Sequence, residues 1–202
     1  MNPIISVWRE PKKTTQYMLD HNKSTFSLIL FAISGIGIVL NALQESGTMN
    51  DVPLLYVVLI FLAGAPIAGI LSFYINVGLN TIVGRWLGGT ANAKRMKKAV
   101  GVTVIPNLYL TAITAVFAII YGPQFFETPG FQEISSLPTT AAVVLGAFTL
   151  LISIWQLIVT SKALGVIHEF SSWRGFGVTL IGGILIAAII IPIVTAIVLT
   201  SM

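Results

Sequence analysis

Every Lys and Arg of this chain, eleven in all, falls in alternate gaps between five uncharged apolar runs. Arg9, Lys12, Lys13 and Lys23 precede the first run. Arg85, Lys94, Arg95, Lys97 and Lys98 lie between the second and third, and Lys162 and Arg174 between the fourth and fifth. The other gaps, and the residues after the fifth run, hold none. Membrane-spanning chains retain basic residues on the cytoplasmic side, so this alternation sets span number and direction together. It predicts an all-α integral membrane protein of five transmembrane helices, with the N-terminus cytoplasmic and the C-terminus outside.

The runs are Phe26–Leu43, Val52–Val83, Ala99–Tyr121, Thr139–Thr160 and Phe176–Thr200. At the rise of an α-helix each reaches roughly 27 Å or more, the thickness of a hydrocarbon core. A composition of 55% hydrophobic and 9% charged residues is far from that of a soluble domain. The second run is too long to stand upright: Gly64-Ala65-Pro66 is its expected break, because Pro66 lacks a donor and crowds the preceding turn, with a tilt or a start as a segment lying in the outer leaflet as the alternatives. Two organisational units follow: residues 1–25 as a cytoplasmic or interfacial segment, and 26–202 as the five-helix domain. Pro11 is expected to open a short interfacial helix in the first unit. That segment is long and polar for a signal peptide, and no cleavage site is evident, so the first span is expected to stay in the mature protein. Polar loops are expected over 44–51 and 122–138, the latter rich in turn residues.

The net charge of +4 does not imply nucleic acid, because the cations are spread over three short gaps with no domain to read a groove. Anionic lipid headgroups at the cytoplasmic face are the expected partners. Trp8-Arg9, Arg85-Trp86 and Trp173-Arg174 each pair an indole with a guanidinium at a predicted inner boundary, and Trp155 lies near the inner end of its span. Such residues anchor helix ends at headgroup level.

No Asp, Glu, Lys, Arg or His lies within any of the five runs. Proton relays and ion-coupled transport usually need such groups inside the membrane, so neither catalysis nor coupled transport is expected, and no cofactor is implied. The two His residues, His21 and His168, fall in polar gaps beside Asp20 and Glu169. Together they could hold a divalent metal, but their ordinary reading is solvated polar residues, and no metal site is expected. Ser72, Asn76 and Asn80 recur every fourth residue and share one helix face. Asn107 and Gln156, on other spans, are their candidate partners. Amides in hydrocarbon act as glue between helices, or line a polar path. Gly88-Gly89 permits a turn of positive φ at the end of the second span. With Pro66 and Pro106 it suggests a tight, kinked hairpin of spans two and three.

Gly84-Arg85-Trp86-Leu87-Gly88-Gly89, a small basic stretch, and then Gly101-Val102-Thr103-Val104-Ile105-Pro106 resemble the Gly-rich loop and third-span start of the Yip (Ypt/Rab-interacting) membrane proteins. Ile154-Trp155, followed by Ala163 through Gly175 with His168-Glu169 and Trp173-Arg174, is similar to the family's short loop before the last span. Asn2-Pro3 with Trp8 and Pro11 resembles the opening of bacterial members. The resemblance implies five spans with a cytoplasmic N-terminus. In eukaryotes such proteins bind Rab GTPases through an extended N-terminal region that this short segment does not match, so Rab binding is not implied. Some bacterial relatives look like accessory partners of ABC exporters.

These readings converge on a non-enzymatic scaffold or accessory protein of the bacterial cell membrane. It is expected to act through intramembrane contacts with another membrane protein or as a homo-oligomer. The alternative is a small permease or channel lined by the Ser72, Asn76 and Asn80 face.

Overall fold

A computed structural model describes residues 1–46, 54–127 and 135–201. Of the loops expected over 44–51 and 122–138, residues 47–51 and 128–134 lie outside these residues, whereas 44–46 continue α3 and Gly122–Phe126 form a 3₁₀ turn that buries Phe125 and Phe126. Among the described residues the regular structure is helical throughout: α1 (Pro3–Ser6), α2 (Pro11–His21), α3 (Ser24–Ser46), α4 (Leu54–Leu59), α5 (Ala65–Trp86), α6 (Ala93–Ala99), α7 (Ile105–Tyr121), α8 (Thr139–His168) and α9 (Ser172–Ser201). Five stretches are long and apolar enough to cross a membrane: Ser24–Gln44, Tyr56–Trp86, Ala93–Phe126, Thr139–His168 and Ser172–Ala196.

The second span breaks beside the expected residues. A π-helical turn over Ile60–Gly64 joins α4 to α5, with the Ala65 N–H reaching back to the Ile60 carbonyl. Pro66 follows in the first turn of α5. Proline cannot donate to the preceding turn, and the wider turn gives its ring room without ending the helix. Span three starts differently. The basic helix α6 leads through a 3₁₀ turn over Val100–Val104 into α7, where Pro106 again sits in the first turn. The helices of the fourth and fifth spans, α8 and α9, run past their apolar stretches, so Lys162 and Arg174 are helical and only Glu169-Phe170-Ser171 separates the two.

In cross-section the spans follow the order α5, α3, α7, α8, α9, with α9 returning to α5. Spans two and three therefore form no tight hairpin: α5 packs on α3 and α9, α7 on α3 and α8, and α5 and α7 scarcely touch. The reason lies in small residues that sequence adjacency does not reveal. A Cβ on Gly35 of α3 would run into the Ala65 carbonyl, and one on Gly69 of α5 into the Phe31 carbonyl. The two backbones meet at reciprocal glycines, a close approach that substitutes for the hydrophobic drive missing in lipid. Phe31 and Phe73 then close edge to face at 5.5 Å.

One end of the bundle carries the basic residues and most of the core. Met18, Phe31, Met96, Ile105, Leu164 and Ile167 are buried there in one continuous cluster. The N-terminal segment belongs to this packing. α2 buries Pro11, Thr14, Thr15, Met18 and Leu19, a helical stripe set against α8 and α6. A smaller cluster of Leu40, Phe125, Phe126, Leu137 and Ala141 closes the other end. Burial falls outward: 44% of the first span's apolar window is buried, against 11% for the fourth and fifth. α3 is thus the hub, and α8 and α9 turn most of their surface to lipid.

Gly69→Leu is expected to destabilise the bundle by about 3 kcal/mol, because the new side chain meets backbone rather than a yielding side chain. Gly146→Ala, where nothing lies within 4 Å of the added Cβ, serves as the neutral control. Thermal unfolding of both in detergent tests this; equal midpoints would refute the glycine crossing.

Candidate functional site: the junction at the basic end

Two helix C-termini, those of α5 and α8, meet at the basic end, and both close with the same turn. In α5 the Gly89 N–H bonds the Gly84 carbonyl at 2.8 Å and the Gly88 N–H the Arg85 carbonyl at 3.0 Å. Gly88 has φ +84°, the left-handed conformation expected from Gly88-Gly89. In α8 the Phe170 N–H bonds the Gly165 carbonyl at 3.0 Å, and Glu169 takes the left-handed position at φ 60°. Both are Schellman turns, which return orphan carbonyls to hydrogen bonds.

Thr90 fastens the two ends together. Its N–H donates to the His168 carbonyl at 3.1 Å, and its hydroxyl lies 3.3 Å from that carbonyl and 3.2 Å from Glu169 Oε2. The His168 ring is fully buried. Its Nε2 donates to the Asn80 carbonyl at 3.0 Å, because a carbonyl can only accept. Nδ1 is buried without a partner in the protein. Any side chain on Gly84 or Gly89 would overlap this ring, and Phe170 stacks on it at 5.2 Å. The expectation that His168 is solvated is therefore corrected. It is the plug between two helix ends, and glycines make its socket.

Cations surround this junction, where two helix C-termini present their negative ends. Arg95 reaches Glu169 at 2.5 Å and the Val166 carbonyl at 3.4 Å. Its hydrogen bond and charge hold the Glu169 carboxyl below the usual range, with Thr90 adding to the effect. Arg85 Nε donates to the Ala91 carbonyl at 3.0 Å, spanning the Gly-rich loop. Lys98 donates to the Leu19 carbonyl at 3.1 Å, tying α6 to α2. Ser27 Oγ donates to the Lys98 carbonyl at 2.9 Å and accepts the Gly101 N–H at 3.2 Å, securing α3 to the start of span three. Asn92 caps α6, accepting from the Arg95 N–H at 2.9 Å.

The aromatic residues divide. Trp86 and Trp173 are 66% and 82% exposed and stand outward, as interfacial indoles do. Arg174 is exposed with its guanidinium near Gly88. Arg9 is exposed too, but its neighbour Trp8 turns inward. Trp8 stacks parallel to Trp155 at 6.3 Å and meets Tyr109 edge-on at 5.0 Å, which seats the N-terminal segment on α7 and α8. Pro106 is buried at the head of α7.

The polar stripe is mostly satisfied locally. Asn76 Nδ2 donates to the Ser72 carbonyl at 2.9 Å, within its own helix. Ser72 and Asn76 are half-buried, and Asn80 is buried on the side of α5 facing His168. Asn107 is half-buried on α7, where its carbonyl accepts from Thr111 at 2.9 Å, and Gln156 is half-buried on α8. Because α5 and α7 scarcely touch, Asn107 does not face the α5 stripe. The Asp20-His21 and His168-Glu169 pairs also stay apart. His21 stacks on Tyr17 and Asp20 accepts from Gln16, and among the described residues no cluster of metal-ligating side chains forms.

The family model of the Yip1 domain matches residues 5–199, nearly the full span from α1 to α9. No curated protein and no solved structure matches the chain.

The socket makes a specific prediction. Gly84→Ala alone is expected to cost about 1–3 kcal/mol through overlap with the ring. His168→Ala alone is expected to cost about 2 kcal/mol or more through a lost hydrogen bond and a cavity. Together they should cost less than the sum, since the smaller residue vacates the space the new methyl needs. Unfolding midpoints of the four proteins in detergent give the coupling; strict additivity would show that ring and glycine do not compete.

Proposed function

The chain belongs to the Yip1 family, and from that premise we propose that it is a non-enzymatic scaffold or accessory subunit of a bacterial cell membrane, working through contacts inside the bilayer. It is a multi-pass membrane protein by its five apolar helices. The alternation of basic residues supports the finer reading that the junction faces the cytoplasm, with the N-terminus inside and the C-terminus outside.

The two faces of α5 carry the functional reading. Gly69, Phe73, Val77, Asn80 and Gly84 are buried in the bundle. On the opposite side Leu71, Tyr74, Ile75 and Ile82 are exposed, and Gly78 lies among them with nothing within 4 Å of its Cβ position. A small residue amid an exposed apolar helix face is the pattern that admits a second helix at close range. The occupant we favour is a helix of another membrane protein, for which an ABC exporter permease is a candidate; a second copy of this chain would use the same surface. The permease or channel alternative has less support, since Asn76 already bonds within its own helix and Asn107 stands away from the stripe.

Affinity purification in mild detergent tests the scaffold reading. The wild-type protein should carry a stable membrane-protein partner, and Gly78→Leu should release it without lowering the unfolding midpoint. Asn76→Leu separates the alternatives: a pore should lose flux, whereas a scaffold should keep its partner. Purification of a lone monomer under all mild conditions would sink the proposal.

Orientation has its own check. Reporters active on only one side, fused to each end, should report from opposite compartments; agreement between the two ends would overturn the five-span topology.

A further inference from the structure

Two adjoining cavities lie along the outer surface where α8 and α9 meet. One, of about 410 Å³, begins at the basic end between Lys162, Ser172 and Trp173 and reaches Leu157 and Phe176. The other, of about 450 Å³, continues from the same Leu157 and Phe176 past Leu180 and Gly183 to Ile184. Their shared walls make one groove, running from the level of the exposed Trp173 into the apolar reach of the span.

The groove is polar at one end only. Lys162 is half-buried at its mouth, and among the described residues its ammonium has no hydrogen-bond or ion-pair partner. Neither α8 nor α9 contains an acidic residue, so nothing on the two helices that form the groove can neutralise it. The Ser172 hydroxyl, in the same wall, is buried without a protein partner. Deeper in, the one hydroxyl, that of Thr179, is occupied by the Gly175 carbonyl at 3.2 Å. An unpaired ammonium beside an exposed indole at a helix end sits where phosphate groups lie, with its aliphatic stem along the apolar wall.

We propose that this groove is a phospholipid site: the Lys162 ammonium holds the headgroup phosphate, and one acyl chain lies along Leu157, Phe176, Leu180 and Ile184. Charge complementarity favours a lipid over another protein helix. A helix would have to supply its own acid at the mouth and polar-free packing below, whereas a phospholipid brings both in one molecule. This site is on the α8–α9 side and is separate from the Gly78 face of α5.

The full-length protein in mild detergent, titrated with phosphatidylglycerol or with diacylglycerol and read by native mass spectrometry, tests the assignment. Gly183→Phe should fill the groove, since nothing lies within 4 Å of a Cβ there. It should weaken retention of both lipids by about tenfold, equivalent to about 1.4 kcal/mol. Lys162→Gln should weaken phosphatidylglycerol several-fold and leave diacylglycerol, which has no phosphate, unchanged. Unaltered lipid retention in Gly183→Phe would overturn the site. So would an equal loss of both lipids in Lys162→Gln, which would deny the phosphate contact. A Gly183→Phe protein that keeps its lipid but loses a dimer would instead place a second copy of the chain in the groove. Lys162→Gln leaves the packed core untouched, so the test survives even if Gly183→Phe folds poorly.

Discussion

Helix C-termini need partners for their last carbonyls, and here two of them end side by side within the same few ångströms. That requirement organises the basic end. Schellman turns satisfy part of it from within each helix, Thr90 bridges the two, and the His168 ring donates across to Asn80. Arg95 donates to the Val166 carbonyl at the end of α8, while Lys98 donates to Leu19 at the end of α2 and Arg85 to Ala91 in the loop after α5. Water could do the same for an exposed end, but it would not hold α5 and α8 in register. The α6 basic helix and the N-terminal helices pack onto this knot, so the order of the end depends on it.

A consequence is an uneven bundle. The knotted end can bury Met18, Met96, Ile105 and Ile167 completely, because short helices and a 3₁₀ turn fill the space between the spans. Farther along, only side chains of the long helices remain, and those of α8 and α9 spread outward: Ile189, Ile190, Ile191 and Ile193 are all exposed. In lipid this carries no penalty, since acyl chains solvate isoleucine as well as a protein core does. Packing is therefore densest at the basic end, and the apolar reach is free to offer grooves and faces to lipid or to other helices.

Much of the architecture was legible in the sequence, because bilayer physics acts on features that are local. Charge-free runs gave the spans, Pro66 marked the break in the second, and Gly88-Gly89 marked the left-handed turn. One pairing was not legible. Adjacent spans two and three suggested a hairpin, but α6 and its 3₁₀ turn carry span three away, and the glycines that select α3 for α5 are single residues without a motif of their own. The burial of His168 was hidden for a related reason. A histidine among polar neighbours looks solvated until another segment covers it, and that cover is signalled only by missing side chains at Gly84 and Gly89. The tryptophans show the same limit: Trp8 and Trp86 have equivalent local surroundings, yet one stacks inside against Trp155 and the other faces out.

In the sequence the basic residues are charges held back from crossing and drawn to headgroups, whereas in the fold several of them are first of all donors to protein carbonyls. These roles are compatible because they use different parts of one side chain and different residues of one cluster. Arg85 commits Nε to the Ala91 carbonyl, leaving its other guanidinium donors for the exterior, and Lys97 sits over the Tyr74 ring at 5.3 Å. Lys162 stands apart from this arrangement, on α8 away from any helix C-terminus that needs a donor. A cation that the fold itself does not use, placed where apolar surface begins, is better explained by what lies beside the protein than by what lies within it.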